Sequence, residues 1–288
     1  MATNVAKEDL HAKLHPFGRG GVGTSRVSVS LSALSIGYRV KGESKAIARG
    51  IDACLRAGEL TCLIGSNGAG KSTLLKTLAG FIPKLGGSVY MGGKEIAGYS
   101  PKELSRTVGV VLTAKPEADN MTVEDVVSLG RTPYTGFFGR LSAEDRRVVA
   151  DSMEQVGIAR LARRTVSTLS DGERQKAMIA KVLAQQTPVI MLDEPTAFLD
   201  YPSKVETMLL LMRLSHAQGK TVFMSTHDIE LALQTADTLW LMPGDGALRT
   251  GTPHELADSG ALAAFIEREE IDFDKETLRI TVDKSAMR

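Results

Sequence analysis

The sequence predicts an α/β fold with a mostly parallel central sheet. Three observations carry the prediction. Short apolar runs alternate with segments of helical period between about residues 60 and 242, and strands that alternate with helices build a largely parallel sheet. A complete phosphate-loop pattern, Gly65-Ser66-Asn67-Gly68-Ala69-Gly70-Lys71-Ser72, stands between one apolar run and one helical segment. A second apolar run, Val189-Ile190-Met191-Leu192, ends in the paired carboxylates Asp193 and Glu194.

Residues 1–28 mix charge, His and Gly and read as a flexible lead-in. The glycine cluster at 18–23 follows no strand, so it is not read as a nucleotide loop. Residues 29–35 alternate like a strand. Residues 60–64 form a buried strand run, and 72–78 a helix with Leu74, Leu75 and Leu78 on one face. Another buried strand is expected at 108–112. The stretch from about 122 to 168 is helical in pattern. Thr122 and Ser142 each stand three residues before an Asp, which resembles a capping box, although such boxes prefer Glu or Gln there. Val148, Val149, Met153 and Val156 share one helical face. A helix over 172–186, a strand over 188–192, a helix over 203–218, a strand over 221–225, a helix over 229–236 and a strand over 238–242 follow. Residues 256–288 form a tail of unknown role, with a short helix at 261–269 and a strand at 278–282.

The bulk composition narrows the function classes. Apolar residues make up 43% of the chain, enough for a sizeable core. A formal net charge of +1 implies no strong pull toward nucleic acid or acidic membranes. Cys54 and Cys62 lie in apolar runs without CxxC spacing and read as buried free thiols. Residues 1–20 lack the apolar core of a signal peptide. The richest apolar run, 208–212, falls far short of the roughly 18 residues a membrane span needs. The chain is therefore expected in the cytoplasm, with any membrane role exercised through a partner.

The phosphate-loop glycines let backbone N–H groups wrap phosphates, and the following helix N-terminus adds a favourable dipole. Lys71 should reach the β- and γ-phosphates and Ser72 should ligate Mg²⁺. Asp193 would hold Mg²⁺ directly or through water. Glu194 would orient and deprotonate an attacking water. An acidic turn after a strand is common, and it is the phosphate loop upstream that gives this pair its meaning. His227 follows the next strand and could contact a γ-phosphate. A lone His at a strand end is usually unremarkable chemistry, and Thr226 or Asp228 could simply cap the next helix. Ser170-Asp171-Gly172-Glu173 makes a good capping box, and a capped helix N-terminus bearing a hydroxyl and a glycine also suits an anion.

The order of Lys71, the Leu169-Ser170-Asp171-Gly172-Glu173 stretch, Asp193, Glu194 and His227 resembles that of ABC transporter ATPases. The resemblance covers about residues 29–252. It implies a P-loop NTPase fold with an antiparallel N-terminal β part and a helical subdomain, about residues 114–169, inserted in an ATPase domain over 29–255. It implies ATP and Mg²⁺ as ligands, held by residues 65–72 and by Thr73. It makes the Ser170, Gly172 and Glu173 stretch the signature that meets ATP from a second copy. Leu199-Asp200 resembles the D-loop. Tyr38 resembles the aromatic that stacks on adenine, although a strand tyrosine is often just core or surface. The run 121–134 is similar to importer subunits for iron-siderophores, haem and cobalamin. The partners implied are a second copy, membrane permease subunits at the inner face of the cell membrane and, indirectly, a substrate-binding protein.

Three departures from the family pattern stand out. Asp171 replaces the usual Gly, Glu173 the usual Gln, and Thr113 stands where the Q-loop glutamine is expected. Thr113 is thus a candidate residue of the metal site, and its shorter side chain should act through a water. Lys115 and Glu117 would share the coupling to the permease. Tyr134, Phe137 and Phe138 are either core or a docking patch. The alternatives are an exporter ATPase and a soluble ABC ATPase, although the latter usually carries a coiled-coil insertion or two cassettes. A P-loop GTPase would need a guanine-reading N-K-x-D, which is absent from the chain.

Overall fold

The computed structural model describes residues 26–40, 43–113, 120–136 and 139–282. Residues 1–25 of the expected lead-in, together with Lys115, Glu117, Phe137 and Phe138, lie outside the described residues.

One antiparallel sheet gathers four strands from the first part of the chain. Strand β1 (Val27–Val40) pairs antiparallel with β2 (Glu43–Arg56) on one side and with β4 (Gly86–Met91) on the other. The short β5 (Lys94–Glu95) extends the same sheet. Periodicity marked only part of β1 and none of β2. Register shifts interrupt the β1–β2 ladder at four places, and Ala33 takes a left-handed φ of 45°. Bulges of this kind break the period-2 alternation that marks a strand in sequence.

The central sheet has six strands in the order β10-β9-β3-β8-β7-β6. These are β3 (Leu60–Gly65), β6 (Val108–Val111), β7 (Val189–Asp193), β8 (Thr221–Ser225), β9 (Thr238–Met242) and β10 (Arg249–Gly251). All neighbours are parallel except β10 on β9. The parallel strands are almost wholly buried, so they read as apolar runs. Their two faces serve two cores. Leu63, Met191, Phe223 and Trp240 pack toward the antiparallel sheet and helix α1 (Lys71–Leu78). Cys62, Ile190, Leu192, Met224 and Leu241 pack with the helices on the other side. Alternation along each strand divides the sheet this way.

The short helix α2 (Pro101–Ser105) precedes β6, and the helical stretch is more broken than its pattern suggested. It contains α3 (Val123–Ser128), α4 (Ala143–Gln155) and three short 3₁₀ turns. Both Asp-ended capping boxes form, at Thr122–Asp125 and Ser142–Asp145. Helix α5 (Asp171–Ala184) packs on α3, α4 and β6. Gly130 permits a close approach, since a Cβ there would lie 2.1 Å from the Lys181 carbonyl oxygen. Beside it, the buried Arg131 bonds Asp145 Oδ1 at 2.8 Å and donates to the Ala184 carbonyl and the Gln186 side chain. Its guanidinium stacks on Tyr134, whose hydroxyl donates to the Gln185 carbonyl. Tyr134 therefore packs between helical segments.

Helices α6 (Tyr201–His216), α7 (Ile229–Thr235), α8 (Pro253–Asp258) and α9 (Ala261–Ile266) complete the helical side. A two-stranded hairpin, β11 (Ile271–Asp274) and β12 (Arg279–Val282), closes the described chain. Leu256, Leu262, Ile266 and Phe273 belong to the same core cluster as the helices. The tail thus packs as part of the fold. Cys62 is buried, Cys54 is half-buried, and both are free thiols. Burial pushes the Cys62 thiol up, with a smaller push from Asp237. Among the described residues no helix is long and apolar enough to cross a membrane.

Candidate functional site

The site forms at the carboxyl ends of β3, β7 and β8, which lie side by side. The loop 65–70 leaves β3 and turns into α1. Gly70 has φ 103°, and a Cβ there would lie 2.5 Å from Ile47. Only glycine suits that conformation and space. Ser66 donates to the Pro243 carbonyl at 2.9 Å, Ala69 N–H closes a turn on the Ser66 carbonyl, and Asn67 and Gly68 are exposed. Lys71 is only 6% exposed, and its amine donates to the Gly65 and Ser66 carbonyls at 2.9 and 3.1 Å. Burial lowers the Lys71 pKa, and the carboxylates of Glu194 and Asp193 oppose that shift. The ammonium is therefore held over the loop, near two negative charges.

Asp193 is buried at the end of β7. Its Oδ1 accepts from Ser72 Oγ at 2.9 Å and from Ser225 Oγ at 2.7 Å. Thr113, just past β6, donates its hydroxyl to the Asp193 main-chain carbonyl at 2.8 Å. The hydroxyl thus reaches the backbone of Asp193 and not its carboxylate. Glu194 follows in a left-handed conformation, φ 51°. Its carboxylate lies 2.6 Å from His227 Nε2. Lys71, Ser72, Asp193, Glu194, His227 and Thr113 therefore converge. Tyr38 is 44% exposed, and its hydroxyl lies 2.7 Å from that of Thr73 on α1. Its ring is thus fixed next to the phosphate loop.

Beyond His227, the Thr226 hydroxyl accepts the Asp228 N–H, whereas the Asp228 side chain makes no cap and pairs with Lys204 at 2.8 Å. Glu194, His227, Lys204 and Ile280 line a cavity of about 420 Å³. Sequence reasoning missed Ser225 as a site residue. What singles it out is its place opposite Asp193 in the parallel register of β7 and β8, which no local sequence pattern carries.

The remaining candidates form a separate group. Ser170 caps α5 and makes a reciprocal capping box with Glu173. Asp200 caps α6 through the Ser203 N–H. The two helix starts adjoin, since a Cβ on Gly172 would lie 3.2 Å from Ser203 Oγ. Hydrogen bonds from Ser203, first by way of its side chain, hold the Asp200 carboxyl below its usual range.

A family model described as "ABC transporter" matches residues 48–197. The chain belongs to the ABC transporter ATP-binding family. It is an ATP-binding and ATP-hydrolysing protein of that family. An uncharacterised ABC transporter ATP-binding protein of Methanocaldococcus jannaschii is 43% identical over 223 residues, 77% of this chain and 76% of that protein. The iron(3+)-hydroxamate import ATP-binding protein of Bacillus subtilis is 37% identical over 230 residues, 80% of this chain and 84% of the relative. Among solved structures, a dimeric bacterial ABC transporter cassette is 26% identical with a TM-score of 0.68, covering 78% of this chain and 98% of its own.

Proposed function

We propose that this ABC ATPase homodimerises around two ATP molecules and drives a membrane importer for iron chelates, haem or cobalamin from the cytoplasmic face. The observation that carries the catalytic part is the convergence of Lys71, Ser72, Asp193, Glu194 and His227 on adjacent strand ends. The import reading is supported by relatives named for iron(3+)-hydroxamate import and cobalamin import, beside one named for ferric enterobactin transport. The run 121–134 supports it independently.

The oxygen set suits Mg²⁺. Ser72 Oγ and Asp193 Oδ1 are hard donors 2.9 Å apart. Among the described residues no group of three or more His, Cys, Asp or Glu could hold a metal on its own, and Mg²⁺ usually takes one or two protein ligands, completing its shell with phosphates and water. Bound there, Mg²⁺ would neutralise charge on the β- and γ-phosphates. Lys71 binds the same phosphates after leaving the loop carbonyls. Glu194 would take the proton from the attacking water, and His227, already 2.6 Å from its carboxylate, would contact the γ-phosphate and hold that water's geometry. Ser170, Gly172 and Glu173 of one copy meet the nucleotide of the other. Tyr38 stacks on adenine.

An apolar groove of about 820 Å³ beside α1 suits the permease contact. Phe81, Ile96, Leu104 and Val110 line it, and Phe81 is 58% exposed. Specificity for the cargo would then reside in the permease and a substrate-binding protein.

Glu194→Gln tests the reading. ATP binding should persist while hydrolysis falls about 10²–10⁴-fold, the usual cost of losing a general base. Light scattering should then detect an ATP-dependent dimer. A variant that remains monomeric with ATP and hydrolyses normally would exclude the assignment. Transport of each chelate class after reconstitution with the native permease tests direction and cargo.

A further inference from the structure

Ser225 is the last residue of β8 and lies opposite Asp193 in the parallel register. It is fully buried, at 0% exposure. Its hydroxyl donates to Asp193 Oδ1 at 2.7 Å and accepts the Glu194 N–H at 3.0 Å. A serine hydroxyl has one proton, and here that proton goes to the carboxylate. The lone pair serves the next residue's main chain. One small side chain thus touches the carboxylate assigned to the metal and the backbone of the assigned base.

Glu194 needs such a hold. Its φ of 51° is a conformation that non-glycine residues keep only when their surroundings determine it. The Thr113 hydroxyl secures the Asp193 carbonyl, while Ser225 secures the following N–H. The peptide between the two carboxylates is therefore held through both of its polar groups. Hydrogen bonds in series polarise one another. Stronger donation to Asp193 makes the Ser225 oxygen a better acceptor for Glu194.

We propose that Ser225 is a positioning residue that ties the backbone orientation of Glu194 to the charge and geometry of the Asp193 carboxylate. It acts through its hydroxyl and not through its bulk. The inference rests on the roles assigned to Asp193 and Glu194. Hydrolysis that survives Glu194→Gln would count against those roles, whereas the experiment below concerns Ser225 alone.

The test compares Ser225→Ala and Ser225→Thr in the full chain. Truncation leaves Asp193 its bond from Ser72 and leaves the Glu194 N–H 3.2 Å from the Ser225 carbonyl, so the fold should persist. For Ser225→Ala, kcat and the Mn²⁺ affinity of the ADP complex, read by electron paramagnetic resonance, should each fall about 10–100-fold, the usual scale for removing a group that orients a ligand. KM for ATP should stay near its original value. Ser225→Thr, which keeps the hydroxyl, should recover both quantities. Unchanged kcat and Mn²⁺ affinity in Ser225→Ala would overturn the proposal. So would equal loss in both variants, which would mean that bulk matters. If Ser225→Ala does not fold, Ser225→Cys keeps the volume with a weaker donor. It should lose kcat and Mn²⁺ affinity, and wild-type values in it would overturn the proposal.

Discussion

Thr113 gives its one hydroxyl to the Asp193 carbonyl, where a longer amide could have reached toward the proposed Mg²⁺ position. Its removal should therefore loosen a loop and not delete a ligand. Thr113→Ala is expected to lower hydrolysis about tenfold, the mild end for an orienting group, and less than Glu194→Gln does. A Mg²⁺ titration checks this. Loss as deep as in the Glu194 variant, recovered by raising Mg²⁺, would make Thr113 a direct ligand. Tyr38 offers a second comparison. Tyr38→Phe keeps the ring and loses only the contact with Thr73, so ATP affinity should hold. Tyr38→Ala should weaken it about 5–10-fold, the size of one aromatic stacking contact, as measured by nucleotide titration. Lys71, Asp193, Glu194 and His227 were legible in the sequence because each ends or follows an apolar run within a recognisable pattern. Ser225 was not, because its task depends on the register of two strands far apart in the chain.

Among the elements, α4 and α5 are joined by a buried polar clasp. Arg131 bonds the start of one and the end of the other, through Asp145 and the Ala184 carbonyl. Removing one partner of a buried ion pair leaves the other charge uncompensated, which costs about 3–5 kcal/mol. Arg131→Met should show that loss in urea denaturation. The clasp also predicts acid sensitivity. The Ser142 hydroxyl first, then the Ser142 N–H and Arg131, hold the Asp145 carboxyl down to about 2 from an ordinary 3.8. A carboxyl lowered in the fold stabilises above its unfolded pKa, and that contribution is lost as pH falls through the folded value. Stability should thus decline between about pH 4 and pH 2. Asp145→Asn should flatten that part of the profile in a pH series of melts. The capping boxes at either end of this region were readable from Thr122 and Ser142. The turns between α3 and α4 were not, because Arg131 and Tyr134 fix them by contacts outside any local pattern.

For the whole molecule, the candidate site falls into two groups. One gathers on the strand ends around Glu194, and the other at the starts of α5 and α6. Two copies related by a twofold axis would place each group against the other's complement. Lys71→Ala and Ser170→Arg homodimers should both be impaired, yet an equal mixture should regain hydrolysis through the one intact composite site. An ATPase assay of the mixture checks this, and no recovery would argue against sharing between copies. The parallel sheet could be foreseen because its strands are buried on both faces. The hairpin's packing could not, since Phe273 and Ile280 find their partners only in the finished fold. Ile280 lies outside the segment matched by the family model, yet it walls the same cavity as Glu194 and His227. An inhibitor that extended from Glu194 and His227 to Ile280 would therefore gain a handle for selectivity over ATPases that lack this hairpin.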